Sequence, residues 1–256
     1  MLEGITRRTL ARLTVLLAAT GSIVIGWLSD GFDVEIKSEP TNGGAKEPDK
    51  VEGSLPRPGS VTGKKRVSTA IADRRSRREY DDDPLTRAEL GQLLWAAQGT
   101  TERRIGRIDF RAAPSAGATY PIELYIVIGD SGVRGLEAGI YHYEHDGHTL
   151  DLVTAGDVQP DLRRIALDQA WVGGAAADII ITAIDERTTK RYGPRGRRRY
   201  VPMEAGHVGE NIYLQTESLG LATVAVGAFR DSELLTLLGL DDSYRALTIY
   251  PVGRRG

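Results

Sequence analysis

The sequence predicts an α+β domain. Three observations carry this: strand-like runs at Glu123–Gly129 and Asp178–Ile184, a long helical pattern from Met203 to Leu219, and no regular βαβ units joining them. The elements begin with Ser68, which can cap a short helix through Ala70, Ile71 and Ala72. Thr86-Arg87-Ala88-Glu89 is a capping box, with Leu85 and Leu90 placed as a hydrophobic staple. That helix runs through Leu93, Leu94 and Ala97 and stops at Gly99. Leu124, Ile126 and Ile128 alternate onto one face, as a strand requires. Gly139–Tyr143 and His148–Val153 flank Asp146-Gly147, a hairpin signal. Leu162–Trp171 reads as a helix and Asp178–Ile184 as a central strand. The helix over Met203–Leu219 is ended by Gly220. Strands at Leu221–Val226 and Ala246–Val252 then enclose a short helix at Asp231–Leu238.

The chain has 256 residues, 41% of them apolar and 27% charged, enough for one sizeable domain with a core of its own or for a domain plus an appendage. Lys and Arg total 33 against 35 Asp and Glu, so the basic excess of a nucleic-acid binder is missing and no such partner is expected. Cysteine is absent, which excludes disulfides, thiolate zinc sites, iron–sulfur clusters and Cys nucleophiles. Four histidines without metal-ligand spacing make a metal site unexpected.

Leu13 to Leu28 carry no charge, follow Arg7, Arg8 and Arg12, and precede Asp30, Asp33 and Glu35. Residues 1–29 therefore read as a twin-arginine-like signal or transmembrane anchor, with a buried core helix as the alternative. The anchor reading makes the membrane a partner through this N-terminal helix and places the following domain outside the cytoplasm. Residues 30–66 hold Pro40, Gly43, Gly44, Pro48, Pro56, Pro58, Gly59 and Gly63 among charged residues, the composition of a flexible linker. The folded domain is expected over residues 67–256.

Several segments could carry chemistry. Arg74-Arg75-Ser76-Arg77-Arg78 offers four guanidinium groups and a hydroxyl within two turns, donors suited to a phosphate monoester. A solvated basic helix end is the plainer alternative. Arg103–Arg107 and Arg195–Arg199 read as exposed basic loops. Ala113-Pro114-Ser115-Ala116-Gly117-Ala118 is rich in small residues, which let backbone approach a flat ligand or simply turn into the next strand. Ala225-Val226-Gly227-Ala228 offers backbone N–H groups between a strand and a helix, or is a plain connection. His207 lies in a helix whose Gly206 and Gly209 suggest close packing, and fits a packing role better than a catalytic one.

In order, Arg-Arg-Ser-x-Arg, a helix ending Leu-Leu-Trp-Ala-Ala-Gln-Gly, Pro-Ser-Ala-Gly-Ala-Thr-Tyr-Pro, Gly139-Ile140-Tyr141-His142-Tyr143, Glu204-Ala205-Gly206-His207 and Val226-Gly227-Ala228-Phe229 resemble the nitroreductase superfamily. More narrowly they resemble its SagB/ThcOx-type dehydrogenases, over about residues 67–253. The resemblance implies a nitroreductase-like α+β fold and an FMN-dependent oxidoreductase that moves hydride between flavin and an organic substrate. It also implies a homodimer with FMN at the interface. Arg74, Arg75, Ser76 and Arg78 would hold the FMN phosphate, with Arg254 as a further candidate. Pro114, Ser115 and Gly117 would line the flavin ring, and Gly227 and Ala228 would approach its N5. Azoline-oxidising relatives carry a Lys-x-Tyr pair, which maps onto Lys190 and Tyr192 as catalytic candidates, a basic loop being the alternative. The substrate class implied is a small molecule or a peptide azoline, with generic nitro or quinone reduction and a flavin-binding accessory subunit without turnover as the alternatives.

Overall fold

Apolar residues at every second position of one strand set the frame. Within Ile122–Ile128, Leu124, Ile126 and Ile128 enter one core, whereas Tyr125 and Val127 enter another on the opposite face. The same split recurs at Ile179 and Ile181 against Ile180. A sheet buried on both faces needs helices on both, and the chain supplies them. The computed structural model describes residues 53–103 and 108–256.

The first elements are α1 (Val67–Asp73), β1 (Tyr80–Asp81) and α2 (Arg87–Gln98). The Thr86 capping box is present in full, and Leu90, Leu93 and Leu94 are completely buried. A small β2–β3 pair (Thr100–Glu102, Phe110–Arg111) follows, then the antiparallel strands β4 (Ile122–Ile128), β5 (Gly139–Glu144) and β6 (Thr149–Ala155). Next come α3 (Gln159–Ile165), β7 (Ala177–Ala183), α4 (Asp185–Tyr192) and α5 (Val201–Leu219). The chain closes with β8 (Leu221–Thr223), α6 (Asp231–Leu237) and β9 (Arg245–Arg255). The main sheet is antiparallel in the order β1-β9-β7-β4-β5-β6, with β8 also on β9. Helices α2 and α5 cover one face, and α3 and α6 the other.

Gly209 lets α5 approach β9 closely, because a Cβ there would overlap the Tyr250 hydroxyl. Gly206 faces open space instead, so only one of the two glycines serves packing. Gly220 adopts the left-handed conformation (φ 73°) that ends α5 as expected.

Four expectations need correction. Residues 1–29 lie outside the described residues, and among the described residues no helix is long and apolar enough to cross a membrane. The membrane-anchored, extracytoplasmic placement, with the membrane as a partner, is corrected on that finding: none of the described helices supports it. The segment 53–66 belongs to the folded unit and not to a flexible linker, since Leu55 is buried and Ser54 bridges to Thr149 on β6. The helix expected at Leu162–Trp171 starts and ends earlier: Pro160 fits the first turn, and Leu167 and Asp168 have positive φ. The Lys190 region and Arg195–Arg199 are helical, the latter a π-turn over Gly196–Tyr200 leading into α5.

Candidate functional site

Helix α1 ends at Asp73, and Arg74 turns the backbone to φ −53°, ψ 125°. The arginine run is therefore extended rather than helical, tied to β8 where the Arg77 N–H donates to the Thr223 carbonyl at 2.9 Å. Arg77 reaches inward to the buried Glu217 carboxylate, which also pairs with Lys65 at 2.6 Å and Arg255 at 2.8 Å. Burial pushes Glu217 upward, but Lys65 and Arg255 outweigh it and hold the carboxyl below its ordinary value.

The other arginines have different company. Arg74 lies over the Tyr213 ring at 5.1 Å and Arg78 over the Trp171 ring at 5.2 Å. Arg75 donates to the backbone carbonyls of Ala72 and Arg74. None of the three forms an ion pair with a carboxylate among the described residues. Ser76 Oγ sits 2.8 Å from the Tyr213 hydroxyl, which also accepts the Ala225 N–H at 2.8 Å. Tyr213 thus joins the arginine segment to the Ala225–Ala228 segment. There Val226 pairs with Ile249, Gly227 and Ala228 are exposed, and the Ala228 carbonyl accepts from Gln169 at 2.9 Å. A side chain at Gly227 would meet no neighbour within 4 Å.

A phosphate-bearing flavin fits this chemistry. Three guanidinium groups without ion-pair partners among the described residues flank a serine in the chain, and Tyr213 ties that serine to the exposed, unencumbered backbone near Gly227. Arg254 stands apart. Its guanidinium is committed to Glu89 at 2.6 and 2.8 Å, so the structure does not bring it into the cluster as a free cation.

The Pro114–Gly117 segment forms a second group. Gly117, Ala118 and Tyr120 all have positive φ, unusual for the latter two. Ser115 Oγ fixes the turn by accepting the Tyr120 N–H at 2.9 Å. Helix α4 grips it from outside: Thr188 meets Thr119 at 2.8 Å, Arg191 donates to the Gly117 carbonyl and Arg187 to that of Tyr120. The Tyr192 hydroxyl faces Gly117 so closely that a side chain there would collide with it. Lys190 does not join them. Its side chain is 72% exposed and pairs with Glu186 at 3.1 Å on its own helix.

Beneath the turn lies Glu204, buried in the first turn of α5, with Ser115 and Gln98 as polar neighbours. Its Oε1 has no hydrogen-bond partner, and burial raises its pKa to about 7. His207, one turn further on, is exposed and contacts the Pro114 carbonyl at 3.4 Å. Residue-by-residue reading missed Glu204, Tyr213 and Trp171 as site residues. The acidic pattern around Glu204 was visible, but its burial and the cross-chain contacts of the two aromatics left no local signal.

This fold, with an arginine cradle and a small-residue turn served by one long helix, defines a family. The nitroreductase family matches residues 71–254, and the chain belongs to it. It is similar to MJ1384 of Methanocaldococcus jannaschii, a nitroreductase by name, with 43% identity over 74% of this chain and 91% of the relative. It is 28% identical to the microcin B17-processing protein McbC of Escherichia coli, over 51% of this chain and 49% of McbC, so it spans about half of that relative. A crystal structure from Ralstonia eutropha JMP134, titled as a nitroreductase, superposes with a TM-score of 0.66 and 28% identity, covering 80% of this chain and 89% of that one. These matches agree with the SagB-type resemblance of the sequence.

Proposed function

We propose that this protein is an FMN-dependent oxidoreductase of the SagB type, moving hydride between flavin and an organic substrate. The observation that carries the reading is the set of arginines at 74, 75 and 78, which flank Ser76 in the chain and form no ion pair with a carboxylate among the described residues. Charged groups without counter-ions are expected where a ligand supplies the opposite charge. Bound FMN would supply the hydride chemistry, while the chain supplies binding and orientation.

In this reading Arg74, Arg75, Arg78 and Ser76 hold the phosphate, with Tyr213 fixing the serine. Gly227 and Ala228 present backbone N–H groups to the redox-active edge. Pro114, Ser115 and Gly117 line the ring, and α4 keeps their turn in its strained shape. Exposed apolar side chains at Val67, Ile71 and Met203 support a homodimer whose interface contains the flavin. Within the class, a peptide-borne azoline is the favoured substrate: the SagB-type resemblance implies it, and McbC is by name a peptide-toxin processing protein. Oxidation of such a ring would pass a hydride to the bound flavin as its two-electron acceptor and release a proton from the neighbouring atom.

The test is the absorbance spectrum of the purified full chain, with identification of any cofactor released by denaturation. The expected protein is yellow, releases FMN, bleaches with a chemical reductant and recolours in air. A colourless dimer that ignores added FMN overturns the reading. Flavin bound without any electron exchange identifies an accessory subunit instead.

A further inference from the structure

The Pro114–Gly117 turn has a second side. Arg111, Ala118 and Tyr120 line both a cavity of about 520 Å³ against Pro114, Ser115 and Gly117, and a neighbouring one of about 480 Å³. The second cavity also reaches Glu123, His142, His145, Arg187 and Tyr244. It lies at one end of β4 and β5 and shares no lining residue with the Arg74–Arg78 segment.

Charge in this cavity does not balance at its inner wall. Both Glu123 oxygens are taken, one by Arg187 and the other by His142 Nε2 at 2.9 Å. Glu144 stands at the rim with its side chain 42% exposed. Arg111, by contrast, has only neutral partners: Gln98 Oε1 at 3.3 Å, His145 Nε2 at 2.6 Å and the Tyr120 ring at 4.6 Å. It forms no ion pair among the described residues. Burial lowers its pKa, outweighing the opposing fields of Glu123 and Glu204, neither of which forms an ion pair with it, and burial likewise lowers that of His145. A neutral imidazole can accept the guanidinium N–H and leaves the positive charge in place.

We propose that Arg111 anchors the carboxylate of a substrate whose body extends past Tyr120 toward the Pro114–Gly117 turn. The inference rests on the flavin reading for its meaning, since the turn is where the ring is expected. One guanidinium without a direct ion-pair partner among the described residues matches one carboxylate and not a phosphate dianion. The rings of Tyr120 and Tyr244 suit a flat or apolar body. A substrate anchored here is orientated by its acid group, a means of selecting among substrates of like reactivity.

Benzoate and its neutral isostere benzamide test this by calorimetric titration of the full chain, with bound flavin quantified separately. Benzoate is expected to bind at least tenfold more tightly than benzamide. Arg111→Gln should abolish that preference while leaving the benzamide affinity and the flavin content unchanged. Equal affinity of the two probes for the wild type overturns the proposal, as does undiminished benzoate binding in a folded Arg111→Gln protein, which would assign benzoate to other arginines. Tighter binding of phenyl phosphate overturns the carboxylate assignment. Should Arg111→Gln not fold, the wild-type comparison of the three probes decides. A protein lacking flavin that still prefers benzoate through Arg111 separates failure of the flavin reading from failure of this one.

Discussion

The Ser76 hydroxyl meets the Tyr213 hydroxyl at 2.8 Å, and these two residues, one in the extended segment after α1 and the other on α5, are brought together only by the fold. Because Tyr213 already accepts the Ala225 N–H, its own proton is available for Ser76 Oγ. That leaves the serine proton free for a ligand. One phenol thus sets the spacing between the proposed phosphate cradle and the backbone proposed to face the flavin edge.

Tyr213→Phe tests that linkage. The ring that carries Arg74 and packs on Tyr250 at 5.7 Å remains, and only the two hydroxyl contacts go. The expected loss is about 1–2 kcal/mol of stability, read from urea unfolding. The flavin-to-protein ratio after gel filtration should fall several-fold. Unchanged flavin retention would show that the hydroxyl does not organise the cradle.

The arginines divide into two kinds, and variants should separate them. Arg74→Ala with Arg78→Ala removes cations that have no carboxylate partner, so the fold should keep its unfolding midpoint. Charge-assisted bonds of about 1.5–3 kcal/mol each predict an FMN affinity lower by roughly two to four powers of ten. Arg254→Ala should do the reverse. It strips the counter-ion from Glu89, whose side chain is only 12% exposed, at a cost of about 2–3 kcal/mol. FMN binding to the folded fraction should stay at the wild-type level. Loss of flavin with intact stability in Arg254→Ala would return that residue to the phosphate site.

What the sequence made legible were features written within a few residues. The Thr86 capping box, the alternation through Leu124, Ile126 and Ile128, and Gly220 after α5 each follow from local chemistry. Helix α4 escaped because Asp-Glu-Arg-Thr-Thr-Lys-Arg-Tyr has no apolar stripe. Its one buried residue is Thr188, and polar contacts to the Gly117 turn hold it. Leu55 escaped because a single apolar residue among prolines and glycines has no period. The arginine run was visible as composition, whereas the division between Arg77, paired with Glu217, and Arg74 or Arg78, stacked on aromatics, depends on partners far along the chain.

Lys190 and Tyr192 are two residues apart on a helix, so they project about 200° from one another. Only Tyr192 faces the Gly117 turn. With a synthetic thiazoline as substrate and anaerobic bleaching of the flavin as the signal, Tyr192→Phe should slow hydride transfer about tenfold. Lys190→Ala, which breaks only an exposed pair with Glu186, should stay within twofold. A tenfold loss in Lys190→Ala would assign the proton-accepting role to the lysine.

Glu204 links the same turn to pH. Burial raises its pKa from the ordinary 4.5 to about 7. A carboxyl that holds its proton more tightly folded than unfolded stabilises the protein fully below about pH 4.5, and this contribution is lost as pH rises through 7. Glu204→Gln cannot titrate. Relative to wild type it should therefore gain stability steadily between pH 4.5 and 7, by up to about 3 kcal/mol, and remain level above that window. Asp178, also raised to about 7 by burial, titrates in both proteins and cancels in the difference. Urea midpoints across this range check it directly. A wild-type-minus-variant difference that does not move with pH would mean that Glu204 is already ionised beneath Ser115, and that the turn rests on a buried carboxylate rather than a carboxylic acid.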